Sequence, residues 1–311
     1  MILITGGLGF IGCHLAYYLA RQGQEVLLLD KQIMQIPSFL RPLTKTSITL
    51  CRCDVLDLAG LFSVLKTYPV KSIVHMAAIY NTKGTLYECL KVNVGGTMNI
   101  LEASRIMEIQ KITLISSQSV YPRRRDRVYE EEEYFPLESY HYISLTKKAD
   151  EMMCDHYVKE YGLNILTVRP SQIYGPLHAS GLNPIQRMAE DAVAGKATRL
   201  PDVDPNDGHT LTYVKDCARA IGMVHLAEKP RYSIYNVGDQ YVSFGEAAQV
   251  VMKTVPDAKI KLGSGKGKKI REPLFLSMER LRQEFAFEPE YIFEKGMRDY
   301  IRWLKRGKFR N

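Results

Sequence analysis

Ile2-Leu3-Ile4-Thr5-Gly6-Gly7-Leu8-Gly9-Phe10-Ile11-Gly12 is the stretch that decides the fold of this 311-residue chain. A short apolar run ends in glycines spaced Gly6-x-x-Gly9-x-x-Gly12, and apolar residues then recur at helical spacing through Ile11, Leu15, Tyr18 and Leu19 until Gly23 stops them. Strand, tight turn and helix follow in that order. Glycines at such a junction permit the turn, let backbone approach a pyrophosphate and let helix pack closely on strand, while the helix N-terminus offers the phosphate its positive end. Gly6, Gly9, Phe10, Ile11 and Gly12 are therefore candidate dinucleotide contacts.

Working outward, a second buried strand over 25–29 ends at Asp30, 18 residues beyond Gly12. A carboxylate there accepts hydrogen bonds from the adenosine ribose diol and repels a 2′-phosphate, which points to NAD over NADP, with the cation of Lys31 pulling the other way. Further strands are expected over 47–51, 72–75, 111–116 and 164–169, alternating with helices over 58–67, 86–107 and 144–161. That alternation predicts an α/β fold, a doubly wound parallel Rossmann sheet covered on both faces. After Pro170 the alternation breaks down and Gly, Pro and Asp become frequent through Gly208, with a last helix near 293–305. The expected organisation is an NAD-binding Rossmann domain over 1–169, with a returning segment near 210–238, and a smaller C-terminal substrate lobe built from 170–209 and 239–311.

With 46% hydrophobic and 24% charged residues the composition is that of a globular protein, and no apolar run approaches the length of a membrane span. No secretion signal is expected at the N-terminus, which lacks a basic segment and a cleavage pattern. The six cysteines, Cys13, Cys51, Cys53, Cys89, Cys154 and Cys217, are scattered, which suits reduced thiols in a cytoplasmic protein and neither disulfides nor a metal site. The formal net charge of +8 fits an anionic small molecule; the basic residues Arg123, Arg124, Arg125 and Arg127, and Lys266, Lys268, Lys269 and Arg271, lie outside any nucleic-acid-binding pattern. Neither nucleic acid nor membrane is expected as a partner.

With those residues in place, the chain resembles the extended short-chain dehydrogenase/reductase family, in particular its NAD-dependent sugar-nucleotide epimerases and dehydratases. The resemblance extends to Asp54-Val55 beside the adenine, to Ala77-Ala78 after the fourth strand, to Asn93, and to Pro170 and Ile173 in the Arg169-Pro170-Ser171-Gln172-Ile173-Tyr174-Gly175-Pro176 segment under the nicotinamide. Ser116-Ser117-Gln118-Ser119-Val120-Tyr121 is similar to the family's active-site strand end and assigns the catalytic hydroxyl to Ser117, with Ser119 the fallback. Such a hydroxyl stabilises charge on the oxygen whose carbon exchanges hydride.

The resemblance also implies a Tyr-x-x-x-Lys pair on the next helix, the lysine binding the nicotinamide ribose and the tyrosine acting as acid or base. Residues four apart lie only about 40° apart on a helix, residues five apart about 140°. Here Lys147 with Glu151 matches the family's Lys-x-x-x-Glu, which puts Ile143 at the tyrosine position. Three readings compete. Tyr142 carries the proton through a bulge or altered helix start; Tyr140 or His141 takes it; or the chain keeps its cofactor fold as a non-catalytic dinucleotide-binding sensor or scaffold.

On the substrate side the resemblance implies arginines gripping a diphosphate. Gly208-His209-Thr210 places His209 where such an arginine normally stands, and Arg271 is similar to the second; Asn183, Thr82 and Lys83 are further candidate contacts for an anionic substrate. The implied function is that of an NAD-dependent epimerase or dehydratase of a nucleotide sugar, working as a homodimer through a transient keto intermediate. Oxidation or reduction of another hydroxyl or carbonyl compound is the alternative.

Overall fold

The structure, a computed structural model, describes residues 1–33, 36–80, 85–109, 111–122, 128–129, 141–178, 183–264 and 274–307, with 128–129 as backbone only. Five strands, β1 (Ile2–Thr5), β2 (Val26–Asp30), β3 (Ile48–Arg52), β4 (Ser72–His75) and β5 (Lys111–Ile115), join Ile165–Pro170 and Ile234–Val237 in one parallel sheet. Its order is 234–237, 165–170, β5, β4, β1, β2, β3. The direction of winding reverses between β1 and β4, so their C-terminal ends open a crevice of the kind in which doubly wound folds bind ligands.

These strands are nearly continuous apolar runs because both faces are covered. On one face Leu15 and Leu19 of the helix Phe10–Arg21 pack with Ile221 and Val224 of Val214–Leu226. On the other, Leu61 and Val64 of Leu58–Thr67 meet Ile100 and Ala103 of Gly96–Ile106. The helix Tyr142–Tyr161 lies near β5 and Ile165–Pro170, through Cys154 against Ile112, Leu114 and Ile165.

The helical stretch over 86–106 is interrupted by a π-helical turn at Leu90–Gly95. It carries one extra residue per turn. Inside it Asn93 is fully buried: its Oδ1 accepts from Ile79 N at 2.7 Å and its Nδ2 donates to Thr146 Oγ1 at 3.1 Å, tying the chain after β4 to the Tyr142–Tyr161 helix.

A second layered unit surrounds a three-stranded sheet of Gln172–Tyr174, Gly208–Tyr213 and Gln240–Ser243. The helices Pro184–Val193, Phe244–Thr254 and Phe293–Lys305 close its core with Ile185, Met188, Phe244, Val251, Met297 and Tyr300. The returning segment starts at Val214, since Gly208–Tyr213 pairs in the small sheet and Ile234–Val237 in the large one. A second return lies inside the stretch expected to belong to the lobe: Met278, Leu281 and Phe287 bury themselves in the core formed by Tyr235 and Val237. Their apolar side chains find cover there because Ile234–Val237 is the sheet's outer strand.

Candidate active site

The glycine loop is built for close approach. Gly6 adopts φ +64°, where a Cβ would lie 2.9 Å from Ala77 Cα, and a Cβ on Gly12 would lie 2.5 Å from Gly6 O. Gly9 caps the helix Phe10–Arg21 without a side-chain acceptor, and its first turn holds no acidic residue. Its leading N–H groups therefore suit an external anion. Asp30 is fixed beside this loop, accepting from Leu8 N at 3.3 Å and Gln32 N at 3.4 Å. Asp54 bonds Leu56 N at 3.0 Å, and Val55 is buried against Gly96. A cradle a methyl group would fill, an uncapped helix start and a carboxylate at the end of β2 fit a dinucleotide.

A buried chain of hydroxyls steadies the neighbouring strand end. Thr5 Oγ1 accepts from Met76 N and Ala77 N, both at 3.2 Å, so its own proton goes to His75 Nδ1 at 2.7 Å. The other ring nitrogen then carries the hydrogen and donates to Thr97 Oγ1 at 3.0 Å, which donates to Asn93 O at 2.6 Å. His75 stays neutral, burial pushing it down to about 3 with Lys147 adding to the shift. Ala77 and Ala78 are thereby held beside Gly6.

Ser117 follows β5 and caps a short turn over 118–120. Its Oγ accepts from Ser119 N at 3.1 Å and from Ser119 Oγ at 3.0 Å. The hydroxyl proton of Ser119 is thus spent, whereas that of Ser117 remains to be donated, which favours Ser117 over its fallback. Below it, Ser116 Oγ donates to Glu151, and Glu151 holds Arg169 through Nε at 3.0 Å and Nη2 at 2.6 Å. Arg169 Nη1 donates to Tyr121 Oη at 2.7 Å, and Tyr121 Oη to Asn236 Oδ1 at 3.0 Å. Burial pushes the Tyr121 phenol up to about 12. This dry network locks β5, the Tyr142–Tyr161 helix, Ile165–Pro170 and Ile234–Val237 together.

The helix begins two residues earlier than its periodicity suggests, at Tyr142, because His141 acts as its cap: Nδ1 accepts from Ile143 N at 3.2 Å and Ser144 N at 3.4 Å. An imidazole so used is neutral, with its hydrogen on Nε2, and its basic nitrogen is spent on the cap. The α-helix runs without a bulge from Tyr142, so Ile143, Lys147 and Glu151 form one buried row, 3%, 5% and 7% exposed. Tyr142 is not brought onto that face. It stands half-buried at the first turn, its phenol raised by burial and by neighbouring Cys89 and Tyr80.

Lys147 Nζ lies 3.0 Å from Asp150 Oδ2, a partner the sequence reading did not single out although the i, i+3 spacing was there to be read. Also unforeseen is His178, whose ring meets the edge of Phe10 at 4.7 Å and whose Nδ1 is buried with no hydrogen-bond partner among the described residues.

In the lobe, Asn183 caps Pro184–Val193, with Oδ1 accepting from Ile185 N at 2.9 Å, while its buried Nδ2 finds no partner among the described residues. His209 lies on the strand Gly208–Tyr213, edge-on to Phe244 at 5.2 Å. Pro170 ends the strand that carries Arg169, and Ile173 packs against the large core. Thr82, Lys83, Tyr140 and Arg271 lie outside the described residues.

With this geometry in place, comparison with known proteins places the chain. A model of the NAD dependent epimerase/dehydratase family matches residues 2–238, and the chain belongs to that family. It is 24% identical to a UDP-glucuronate 4-epimerase of Thermodesulfobacterium geofontis, over 97% of this chain and 95% of the relative. It is 27% identical to a dTDP-4-dehydro-6-deoxy-D-allose reductase of Streptomyces bikiniensis, over 98% and 96%. The structure of UDP-glucose 4-epimerase from Thermotoga maritima superposes with a TM-score of 0.86 at 19% identity, covering 98% of this chain and 99% of that one. The expected Rossmann fold is borne out, and so are the cofactor, NAD, and the class, an NAD-dependent enzyme of the epimerase/dehydratase type. No helix among the described residues is long and apolar enough to cross a membrane.

Proposed function

We propose that this protein epimerises or dehydrates the sugar of an anionic nucleotide sugar through a transient keto intermediate. The observation that carries the reading is Ser117, a hydroxyl with its proton to give, at the C-terminal end of β5 in the same sheet as the glycine cradle. Bound NAD supplies the hydride acceptor. Ser117 holds the oxygen of the reacting carbinol, and Lys147 binds the cofactor's ribose and stabilises charge developing on that oxygen. Tyr142 carries the proton after a rearrangement of the first helical turn, since Ile143 holds the place on Lys147's face. Asn183, through its unpaired amide N–H groups, and His209 grip the substrate.

The test is incubation with a panel of UDP- and dTDP-sugars, read by proton NMR, alongside mass spectrometry of nicotinamide released on denaturation. Inverted or dehydrated sugar with stoichiometric NAD is expected. Net oxidation or reduction of another compound, with NAD exchanging each turnover, would favour the oxidoreductase alternative, and NAD without turnover on any substrate would leave a dinucleotide-binding protein. Tyr142→Phe is expected to cut kcat by on the order of 100-fold with NAD content unchanged; full activity removes Tyr142 from the mechanism. A gain of rate in Ile143→Tyr marks a decayed site, a loss a rebuilt one.

The outer faces of the two long helical stretches expose Tyr87, Leu90 and Met98 on one, and Leu145 and Met152 on the other. We assign this apolar face to a homodimer, which Met98→Glu with Met152→Glu converts to monomer in light scattering. The free cysteines suit a cytoplasmic location.

A further inference from the structure

Asp150 is wholly buried on the Tyr142–Tyr161 helix, one turn from Lys147, and the two side chains are 0% and 6% exposed. Its Oδ2 takes one of the three ammonium hydrogens, and its Oδ1 has no hydrogen-bond partner among the described residues. Burying a carboxylate is costly unless a cation sits beside it, and removing one member of such a pair leaves the other charge uncompensated. Glu151, the next acid along, is taken by Arg169. From the surrounding elements, β4 presents neutral His75 and the Gly96–Ile106 helix presents the hydroxyl of Thr97; on their own helix the pair faces Cys154, whose thiol burial keeps protonated. Asp150 is therefore the counter-ion of Lys147 among the described residues, and two ammonium hydrogens remain.

We propose that Asp150 is the positioning residue of Lys147: it fixes the ammonium in direction and keeps it protonated, so that its two remaining hydrogens are presented to the paired hydroxyls of the cofactor ribose. This rests on the assignment of Lys147 to that ribose. An ammonium buried without an anion gives up its proton more readily as pH rises, and a neutral amine is the weaker donor to hydroxyls.

The experiment is calorimetric titration of cofactor-stripped protein with NAD from pH 6 to 9. Wild type is expected to hold its affinity within about twofold, whereas Asp150→Asn weakens with rising pH, by on the order of tenfold at pH 9 relative to pH 6. Asp150→Glu, which keeps the charge, restores the flat profile. Asp150→Leu removes the unpaired oxygen together with the charge and gives the same test if the asparagine variant does not fold. Lys147→Met separates the two ideas: undiminished affinity in that variant sinks the lysine's role itself. If Lys147→Met does weaken binding, the proposal requires Asp150→Asn to add nothing to it. A pH-flat Asp150→Asn, or a further loss when it is combined with Lys147→Met, overturns the positioning role.

Discussion

The cofactor end and the substrate end of this molecule treat polar side chains differently. Around the glycine loop, Thr5, His75, Thr97 and Asn93 satisfy one another and the backbone, and the anion-binding capacity resides in glycines and an uncapped helix start. Toward the lobe, Asn183 Nδ2 and Gln186 Oε1 are buried without partners among the described residues, as are His178 Nδ1 and, beside Ser117, Gln118 Oε1. Leaving a buried polar atom unbonded costs about 1–3 kcal/mol. Dinucleotide recognition by shape and backbone is a property of the fold, whereas substrate recognition is held in side chains that the fold leaves unused.

Acid should break the well-bonded half first. Burial pushes His75 and His225 down to about 3 and His14 to about 4. Unfolded imidazoles take up protons near pH 6.5, so between there and pH 4 the unfolded chain binds more protons and stability falls as pH drops. At pH 5 each such histidine costs about 2 kcal/mol relative to pH 7. Urea denaturation at the two pH values reads this, and equal midpoints would show these rings to be protonated in the folded state. Arg169→Met should cost about 3–5 kcal/mol by leaving Glu151 as an unpaired buried anion. Adding Glu151→Leu should recover much of that loss, whereas simple summation in thermal melts would mean the two residues are not coupled.

Gly12→Ala should destabilise by about 1–3 kcal/mol through overpacking and, unlike Arg169→Met, deplete NAD per folded chain, which mass spectrometry counts. Retained stoichiometric NAD would mean that the loop tolerates the extra methyl. The gentlest change is Asn183→Ala. On the contrast drawn here it should leave melting nearly unchanged, apart from a cap loss of about 1 kcal/mol, yet raise KM about tenfold with NAD content intact. An unaltered KM would make Asn183 a cap alone.

What could be read from the sequence was what is written locally. The glycine spacing, the apolar runs of β1 to β5 and the placing of Asp30 each depend on neighbours within a few residues, so the Rossmann half was legible. The start at Tyr142 was not, since histidine is an unusual cap and its role depends on the ring accepting two amides. Glu151 and Arg169 are separated by 18 residues and meet only when helix and strand pack, and Met278 and Leu281 return to a core that their local pattern does not reveal. Ile143 was legible as a departure; the regular helix shows its consequence, an aliphatic side chain in line with Lys147.

The π-helical turn at Leu90–Gly95 has a consequence for phase. An uninterrupted α-helix drifts by about 40° at each fourth residue, so Cys89, Asn93 and Thr97 could not all point inward with equal depth; the extra residue cancels the drift, and all three are buried while Tyr87 and Met98 stay outside. The turn thus works as a one-residue gear. Deleting a single residue within it would rotate everything N-terminal to it by about 100° relative to the sheet, turning Tyr87 away from its present outlook and Cys89 toward water without altering any other side chain's identity.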